Sequence, residues 1–225
     1  MCKIRLAGLL MALALGRAAW AAPAVPPPAY DPPAPGASET AILSGGCFWG
    51  VQGVYEHVKG VRQAIAGYTG GARASAHYET VSTGATGHAE SVKIIFDPRV
   101  ITYGQILRIY FAVTANPTEL NAQGPDHGPQ YRGEIWAVTP RQKDIATRYI
   151  AQLDAARVFP APIVTHVDTA MPFYEAERHH QDFLVRHPGN PYIVSNDIQK
   201  ITALRAQFPG LYRAEPVTVL KGQTP

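Results

Sequence analysis

Apolar positions along residues 40–208 recur in two alternating patterns, one typical of strands and one typical of helices. Short apolar or alternating runs indicate strands, and recurrence every three or four residues indicates helices. The strands are predicted at 40–44, 61–68, 90–96, 133–138 and 163–167. The helices are predicted at 48–58, 103–112, 140–157, 175–185 and 197–208.

The order of these elements is β-α-β-β-α-β followed by a helix and a strand, which is typical of the split βαβ arrangement. The sequence therefore predicts an α+β fold, a ferredoxin-like two-layer sandwich with an additional helix and strand. Two predicted loops, 69–87 and 114–131, are long for a compact domain. Because loops of this length usually serve function, we expect them to contribute to a site.

The N-terminal segment has the features of a secretory signal peptide. Lys3 and Arg5 precede an apolar run at 6–15, and Ala19 and Ala21 place small residues at a cleavage site. We therefore predict a signal peptide over 1–21, export to the periplasm, and no stable membrane span after cleavage. The alternative is an uncleaved anchor, although a run of this length is short for a span of about 20 residues.

Composition divides the remaining chain into three parts. Residues 22–38 contain seven prolines and predict an extended, polyproline-like linker with little to bury. Residues 39–212 have the composition of one globular domain, which we expect to be monomeric, and 213–225 are predicted to be a C-terminal tail.

Charge and cysteine content exclude several classes of protein. Cleavage after residue 21 would leave 17 basic and 17 acidic residues, and no Lys/Arg cluster marks a nucleic-acid surface. Two cysteines exclude a disulfide-rich fold, and only Cys47 would remain after cleavage. The histidine spacings match no metal site, and no phosphate-loop, dinucleotide or nucleophilic serine motif is present. We expect no metal and no nucleic-acid partner.

Cys47 carries the strongest chemical signal in the chain. It follows a predicted strand and two glycines and precedes a predicted helix, so free backbone N–H groups and the helix dipole would favour its thiolate. Phe48 and Trp49 would form an apolar wall suited to a small alkyl group. These residues indicate a thiol enzyme, and the alternative is a structural cysteine beside core aromatics.

The pentapeptide Gly46-Cys47-Phe48-Trp49-Gly50 resembles the active-site motif of the A-type peptide methionine sulfoxide reductases. Further blocks resemble that family in the family's order and cover roughly residues 40–195. They are GYTGG at 67–71, YETV at 78–81, TGATGHAE at 83–90, NPT at 116–118, QYR at 130–132 and HQDFL at 180–184.

The resemblance implies reduction of the S epimer of methionine sulfoxide, free or in oxidised proteins and peptides. It implies seven site residues: the nucleophile Cys47, the acid Glu90, the hydroxyl donors Tyr78 and Tyr131, the loop acid Asp126, and the methyl-binding aromatics Phe48 and Trp49. Thiol attack on a sulfoxide requires a proton for the departing oxygen, so Glu90 must be protonated when substrate binds. Asp126 lies in a Pro/Gly-rich loop, where an aspartate also commonly forms turns. His180 and Asp182 are expected to be structural.

One departure from the family pattern concerns regeneration of the enzyme. Many members carry further cysteines near the C-terminus that attack the sulfenic acid left on the nucleophile, but residues 48–225 contain no cysteine. This chain resembles a single-cysteine member. The resemblance then implies no bound cofactor and an external thiol reductant, such as thioredoxin, glutaredoxin or glutathione.

Two other functions remain open from the residues alone. A cysteine hydrolase would pair Cys47 with a histidine such as His88 or His127, and a Glu90 substitution would then matter little. A noncatalytic binding module would use the Phe48 and Trp49 pocket, and Cys47→Ala would then retain all function.

Overall fold

The centre of the fold is a six-stranded sheet, which forms within residues 24–220, the part of the chain that the computed structural model describes. Its strands are β1 (Glu39–Ser44), β2 (Val61–Thr69), β3 (Ala89–Phe96), β6 (Glu134–Ala137), β7 (His166–Thr169) and β8 (Tyr174–Glu175). Two further strands, β4 (Ala122–Gln123) and β5 (Asp126–His127), form a separate hairpin. The helices are α1 (Phe48–Glu56), α2 (Tyr78–Val81), α3 (Tyr103–Ile109), α4 (Pro140–Ala155), α5 (Phe183–Arg186) and α6 (Ile198–Gln207). The predicted signal peptide lies outside the described residues.

The order of strands in the sheet is β7-β6-β1-β3-β2-β8. Each of the four central strands, β6, β1, β3 and β2, is antiparallel to its neighbours among them. Along the chain, α1 connects β1 to β2, and α3 follows β3 and precedes β6. This is the predicted split βαβ arrangement, and the α+β ferredoxin-like fold is confirmed. The predicted additional helix and strand are α4 and β7, and β7 pairs parallel to β6.

Helix α1 packs on the sheet through the face that its hydrophobic spacing predicts. Phe48, Val51, Val54, Tyr55 and Val58 are all buried in the main core. This packing holds the N-terminus of α1, and with it the turn that contains Cys47, against the end of β1. The buried face of α1 therefore sets the position of the nucleophile.

The helix predicted at 175–185 is wrong. The segment instead contains β8, a 3-10 turn at Arg178–His180 and the short helix α5. The side chain of Gln181 accepts a hydrogen bond from Ala66 N at 3.0 Å and donates one to Ala66 O at 2.9 Å. This pairing with the backbone of β2 and a left-handed Asp182 (φ 55°) are incompatible with one continuous helix.

The N-terminal linker prediction is wrong about burial. The segment from residue 24 to residue 38 has no regular secondary structure, but it packs against the domain, and Val25 is only 3% exposed. The Tyr149 hydroxyl donates to Pro26 O at 2.6 Å, and Arg108 Nε donates to Val25 O at 2.8 Å. Because this segment is in neither a helix nor a sheet, its carbonyl groups have no backbone partners nearby. Side chains of α3 and α4 supply the donors instead.

The predicted C-terminal tail also packs against the domain. Val219 N and Leu220 N donate to the carboxylate of Asp182 at 2.9 and 2.7 Å. The folded unit therefore continues beyond residue 212. Within residues 24–220, no helix is both long enough and apolar enough to cross a membrane.

Candidate active site

A tight turn of two glycines places Cys47 at the start of α1. Gly46 has a φ of +86°, and a Cβ there would lie 2.6 Å from the Cβ of Gln123, so the turn requires glycine. Cys47 occupies the position before the first helical residue and is partly exposed. The predicted position of the thiol at a strand-to-helix turn therefore agrees with the structure.

Cys47 opens into a pocket of about 330 Å³. All seven residues predicted for the site line this pocket, and two residues that were not predicted line it as well. The lining consists of Cys47, Phe48, Trp49, Tyr78, Glu90, Asp126, Tyr131, Asn190 and Tyr192. The long loops contribute to it as expected, since Tyr78 begins α2 and Tyr131 ends the 3-10 turn Pro129–Tyr131.

Glu90 reaches the pocket from β3 and is only 2% exposed. Burial raises the pKa of this carboxyl to about 8, the nearby Asp126 adds to the rise, and a hydrogen bond from Phe48 N at 2.9 Å opposes it. Glu90 is therefore mostly protonated at neutral pH. This is the state that proton donation to a departing oxygen requires.

The thiol of Cys47 is also protonated in the resting site. Burial raises its pKa well above the usual value, the negative charges that Glu90 and Asp197 carry when ionised raise it further, and the backbone N–H of Trp49 lowers it by a smaller amount. The expectation that the helix start favours the thiolate is wrong for the resting protein. Desolvation and two acidic neighbours outweigh the backbone donor.

Tyr78 and Tyr131 bring two hydroxyl groups to the pocket. Burial raises the pKa of both phenols, and the negative charge that Glu90 carries when ionised raises each of them further. Both hydroxyls therefore keep their protons over the physiological range. They can donate hydrogen bonds to an oxygen atom bound beside Cys47.

Asp126 combines the two roles considered for it. It pairs with Gln123 in the short β4–β5 hairpin, which is a turn, and it also lines the pocket. Its carboxylate accepts a hydrogen bond from the Tyr192 hydroxyl. Tyr192 was not predicted from the sequence. The available signal was the turn-forming pair Asn190-Pro191, which marks a loop directly before Tyr192.

The apolar wall of the pocket depends on His180. Trp49 stacks on Phe183 with ring centroids 3.8 Å apart, and its indole N–H donates to His180 Nδ1 at 3.1 Å. The His180 ring also lies 5.2 Å from the ring of Phe48 and 4.5 Å from that of Tyr78. Burial lowers the pKa of His180 to about 4, with His179 adding to the effect, so the ring is neutral and Nδ1 accepts. His180 therefore has a structural role, as expected, because it supports the aromatic side chains that line the pocket.

We expect His180→Phe to raise KM for the substrate by about fivefold, because loss of an acceptor worth about 1 kcal/mol frees the Trp49 indole. The change in kcat should be small, since His180 does not line the pocket. Steady-state kinetics at pH 7 measures both constants. His180→Asn, which keeps an acceptor, is the matched control, and an equal rise in KM for both variants would contradict the assigned hydrogen bond.

Asp197 is a second unpredicted group near the thiol. It is fully buried, and its Oδ1 lies 3.0 Å from Lys200 Nζ. Because a Cβ on Gly50 would lie 2.1 Å from Asp197 Oδ1, the carboxylate packs directly against the first turn of α1. The Asp197 carboxylate contributes to the raised pKa of Cys47.

The two histidines considered for a hydrolase do not line the pocket. His88 bonds through Nε2 to Ala72 O at 3.0 Å, and His127 is exposed at the β4–β5 hairpin. The acidic group that lines the pocket together with Cys47 is instead the carboxyl of Glu90. Among residues 24–220, no group of three or more His, Cys, Asp or Glu side chains could hold a metal ion.

Comparisons with known proteins agree on one family. A family model described as peptide methionine sulfoxide reductase matches residues 39–210. "Peptide methionine sulfoxide reductase MsrA 2" of Mesorhizobium japonicum is 60% identical over 187 residues, which are 83% of this chain and 95% of that protein. A protein of the same name from Synechocystis is 44% identical over 178 residues, covering 79% of this chain and 83% of that protein.

Solved structures give the same result. The reduced form of Mxr1 from Saccharomyces cerevisiae has a TM-score of 0.61 and 26% identity, over 72% of this chain and 92% of that one. Methionine sulfoxide reductase A of Corynebacterium diphtheriae has a TM-score of 0.57 and 31% identity, over 69% of this chain and 77% of that one.

Proposed function

The chain belongs to the A-type peptide methionine sulfoxide reductase family, and from this premise we propose how its pocket reduces the S epimer of methionine sulfoxide to methionine. The substrates are oxidised proteins and peptides and the free amino acid. One observation carries the assignment to this pocket: the thiol of Cys47 and the protonated carboxyl of Glu90 line a single cavity beside an aromatic wall.

In the first step, the Cys47 sulfur forms a bond to the sulfoxide sulfur. As the S–O bond breaks, the thiol proton and the Glu90 proton pass to the oxygen, which leaves as water. Tyr78 and Tyr131 donate hydrogen bonds to that oxygen while negative charge develops on it. Glu90 ends the step as a carboxylate, and a sulfonium links Cys47 to the substrate.

In the second step, water attacks the Cys47 sulfur and the S–S bond breaks. The products are methionine and a sulfenic acid on Cys47, and the proton released by the attacking water returns to Glu90. Cys47 has then been oxidised by two electrons, with an oxygen atom from the attacking water, and the substrate has been reduced by two electrons.

Selection of one epimer follows from the arrangement of groups around the substrate sulfur. Phe48 and Trp49 provide an apolar surface for the methyl group, whereas Glu90 and the two tyrosines provide donors for the oxygen. With methyl and oxygen held in this way, Cys47 can attack only one configuration at sulfur. Turnover of the S and R epimers of N-acetyl-methionine sulfoxide with dithiothreitol tests this. Reduction of the S epimer alone is expected, and equal rates would contradict the assignment.

We propose that an external thiol regenerates Cys47, for which thioredoxin, glutaredoxin and glutathione are the candidate classes. Support comes from the sequence, whose only other cysteine is Cys2 in the predicted signal peptide. Without reductant, residues 22–225 should therefore release one methionine per protein and keep a sulfenic acid that dimedone traps. Continued turnover without added thiol, beyond one methionine per protein, would contradict regeneration by an external thiol.

We propose that the protein works in the periplasm, as a monomer. The basic and apolar N-terminal segment supports export. Cell fractionation and sedimentation of the mature protein test these points, and a full-length chain with its signal intact in the cytosol would contradict export.

A further inference from the structure

A second cavity adjoins the catalytic pocket. It is a groove of about 380 Å³, and the two cavities are neighbours, because Asp126 and Tyr192 line both. One side of the groove comes from residues 112–116 and the loop that holds Gln123. The other side comes from α6 and the turn before it. Of the site residues predicted from the sequence, only Asp126 lines the groove.

The α6 side presents one face of the helix to the groove. Asn196, Gln199, Lys200 and Ala203 all line it, and their spacing of i, i+3, i+4 and i+7 places them on a single face. Asn196 Nδ2 donates to Tyr192 O at 3.0 Å, and Gln199 Nε2 donates to Asn196 O at 3.1 Å. Among the described residues, no donor bonds to the side-chain oxygen of either amide, so each retains an acceptor and a second N–H.

The charges of the groove disfavour an anionic ligand. Its cation, Lys200, is paired with the buried Asp197 at 3.0 Å. Glu119 and Asp126 add carboxylates to the lining, where each accepts hydrogen bonds from neighbouring groups. A ligand such as glutathione, with two carboxylates, would meet this acidic lining without a free cation.

Uncharged peptide backbone matches the groove better. Primary amides pair with both the N–H and the C=O of a peptide unit, independently of its side chains. Because the groove lies next to the pocket that takes the sulfoxide, with Asp126 and Tyr192 lining both, a peptide bound in the pocket can extend along it.

We infer that this groove binds the peptide chain that flanks the methionine sulfoxide, with Asn196 and Gln199 hydrogen-bonding its backbone. The inference rests on the proposed reductase function. It makes the protein a reductase that favours extended, unfolded protein segments over the free amino acid.

Ala203→Trp, which fills the groove from α6, tests this inference. With dithiothreitol as reductant, we expect KM for a hexapeptide with central methionine-S-sulfoxide to rise about tenfold, the effect of losing about two backbone hydrogen bonds. KM for N-acetyl-methionine-S-sulfoxide should change less than about twofold, the effect of losing no such bond. Arg205→Trp is the control, since Arg205 is exposed on the opposite face of α6 and outside the groove, and it should resemble the wild type with both substrates.

Gln199→Ala provides a second variant that leaves the packing intact, because Gln199 is exposed. It should raise KM for the hexapeptide by about threefold and leave the small substrate unaffected. Equal effects on both substrates, or none on either, would overturn the inference. Slower regeneration by glutathione with unchanged peptide kinetics would also overturn it, in favour of a reductant site. If the wild type failed to reduce even N-acetyl-methionine sulfoxide, the proposed function itself would fail.

Discussion

Cys47→Ser is expected to abolish reduction of methionine-S-sulfoxide, with a loss of at least about a thousandfold, as for removal of an enzyme's nucleophile. The serine oxygen is a poor nucleophile toward sulfoxide sulfur. It also cannot be oxidised to a product that corresponds to the sulfenic acid of cysteine. Turnover of N-acetyl-methionine-S-sulfoxide with dithiothreitol measures the loss. This substitution also separates the reductase from a binding module, in which the side chain at 47 would be dispensable.

The pocket should survive this substitution. Serine is close to cysteine in shape, and the Gly45–Gly46 turn and the buried face of α1 hold the position of the side chain. The variant should therefore retain the thermal midpoint of the wild type to within about 4 °C, the shift produced by about 1 kcal/mol or less in a domain of this size. Residual turnover above about one per cent of the wild type, with the fold intact, would contradict nucleophilic attack by Cys47.

Glu90→Gln is expected to lower kcat/KM at pH 7 by about 10²–10⁴, the usual range for loss of a general acid. The amide can still accept the hydrogen bond from Phe48 N, which Glu90 accepts at 2.9 Å, so the local geometry should persist. It can also donate a hydrogen bond to the sulfoxide oxygen, but it cannot transfer a proton to it. A loss of less than about tenfold would instead show that a group other than Glu90 supplies the proton.

The pH profile gives an independent measurement of the same group. Because burial raises the pKa of Glu90 to about 8, the wild type should hold a constant kcat/KM below that pH and lose activity above it. The raised pKa of the Cys47 thiol keeps that proton in place over the same range. The fall of kcat/KM near pH 8 should be absent from the profile of Glu90→Gln. A wild-type rate that rises through pH 8 would show that the thiolate, and not the thiol with its acid, is the reacting form.

The pH dependence of stability provides an independent check on the raised pKa of Glu90. The raised pKa means that folded Glu90 holds a proton between its ordinary value of 4.5 and about 8, where the unfolded chain has released it. Its contribution to the free energy of unfolding is therefore complete below pH 4.5 and is lost as the pH rises through about 8. Glu90→Gln carries no such proton, so its stability relative to the wild type should increase between pH 5 and pH 9.

Much of the fold could be predicted because its information is local. The periodicity of residues 48–58 identified the buried face of α1, and the turn-forming Gly46 identified the start of the helix beside Cys47. The helix predicted at 175–185 failed for the opposite reason. There the side chain of Gln181 bonds to the backbone of β2, and this long-range pairing overrides a local pattern.

By itself, the sequence determined the order of the elements, the place of Cys47 at a strand-to-helix turn, and the residue types available for the chemistry. These features depend on neighbours within a few positions. The tertiary structure decided that Tyr192 bonds to Asp126, that Val25 is buried, and that both the Cys47 thiol and the Glu90 carboxyl hold their protons. The physical reason is that desolvation and charge at a side chain come from every group packed around it, most of them distant in the chain.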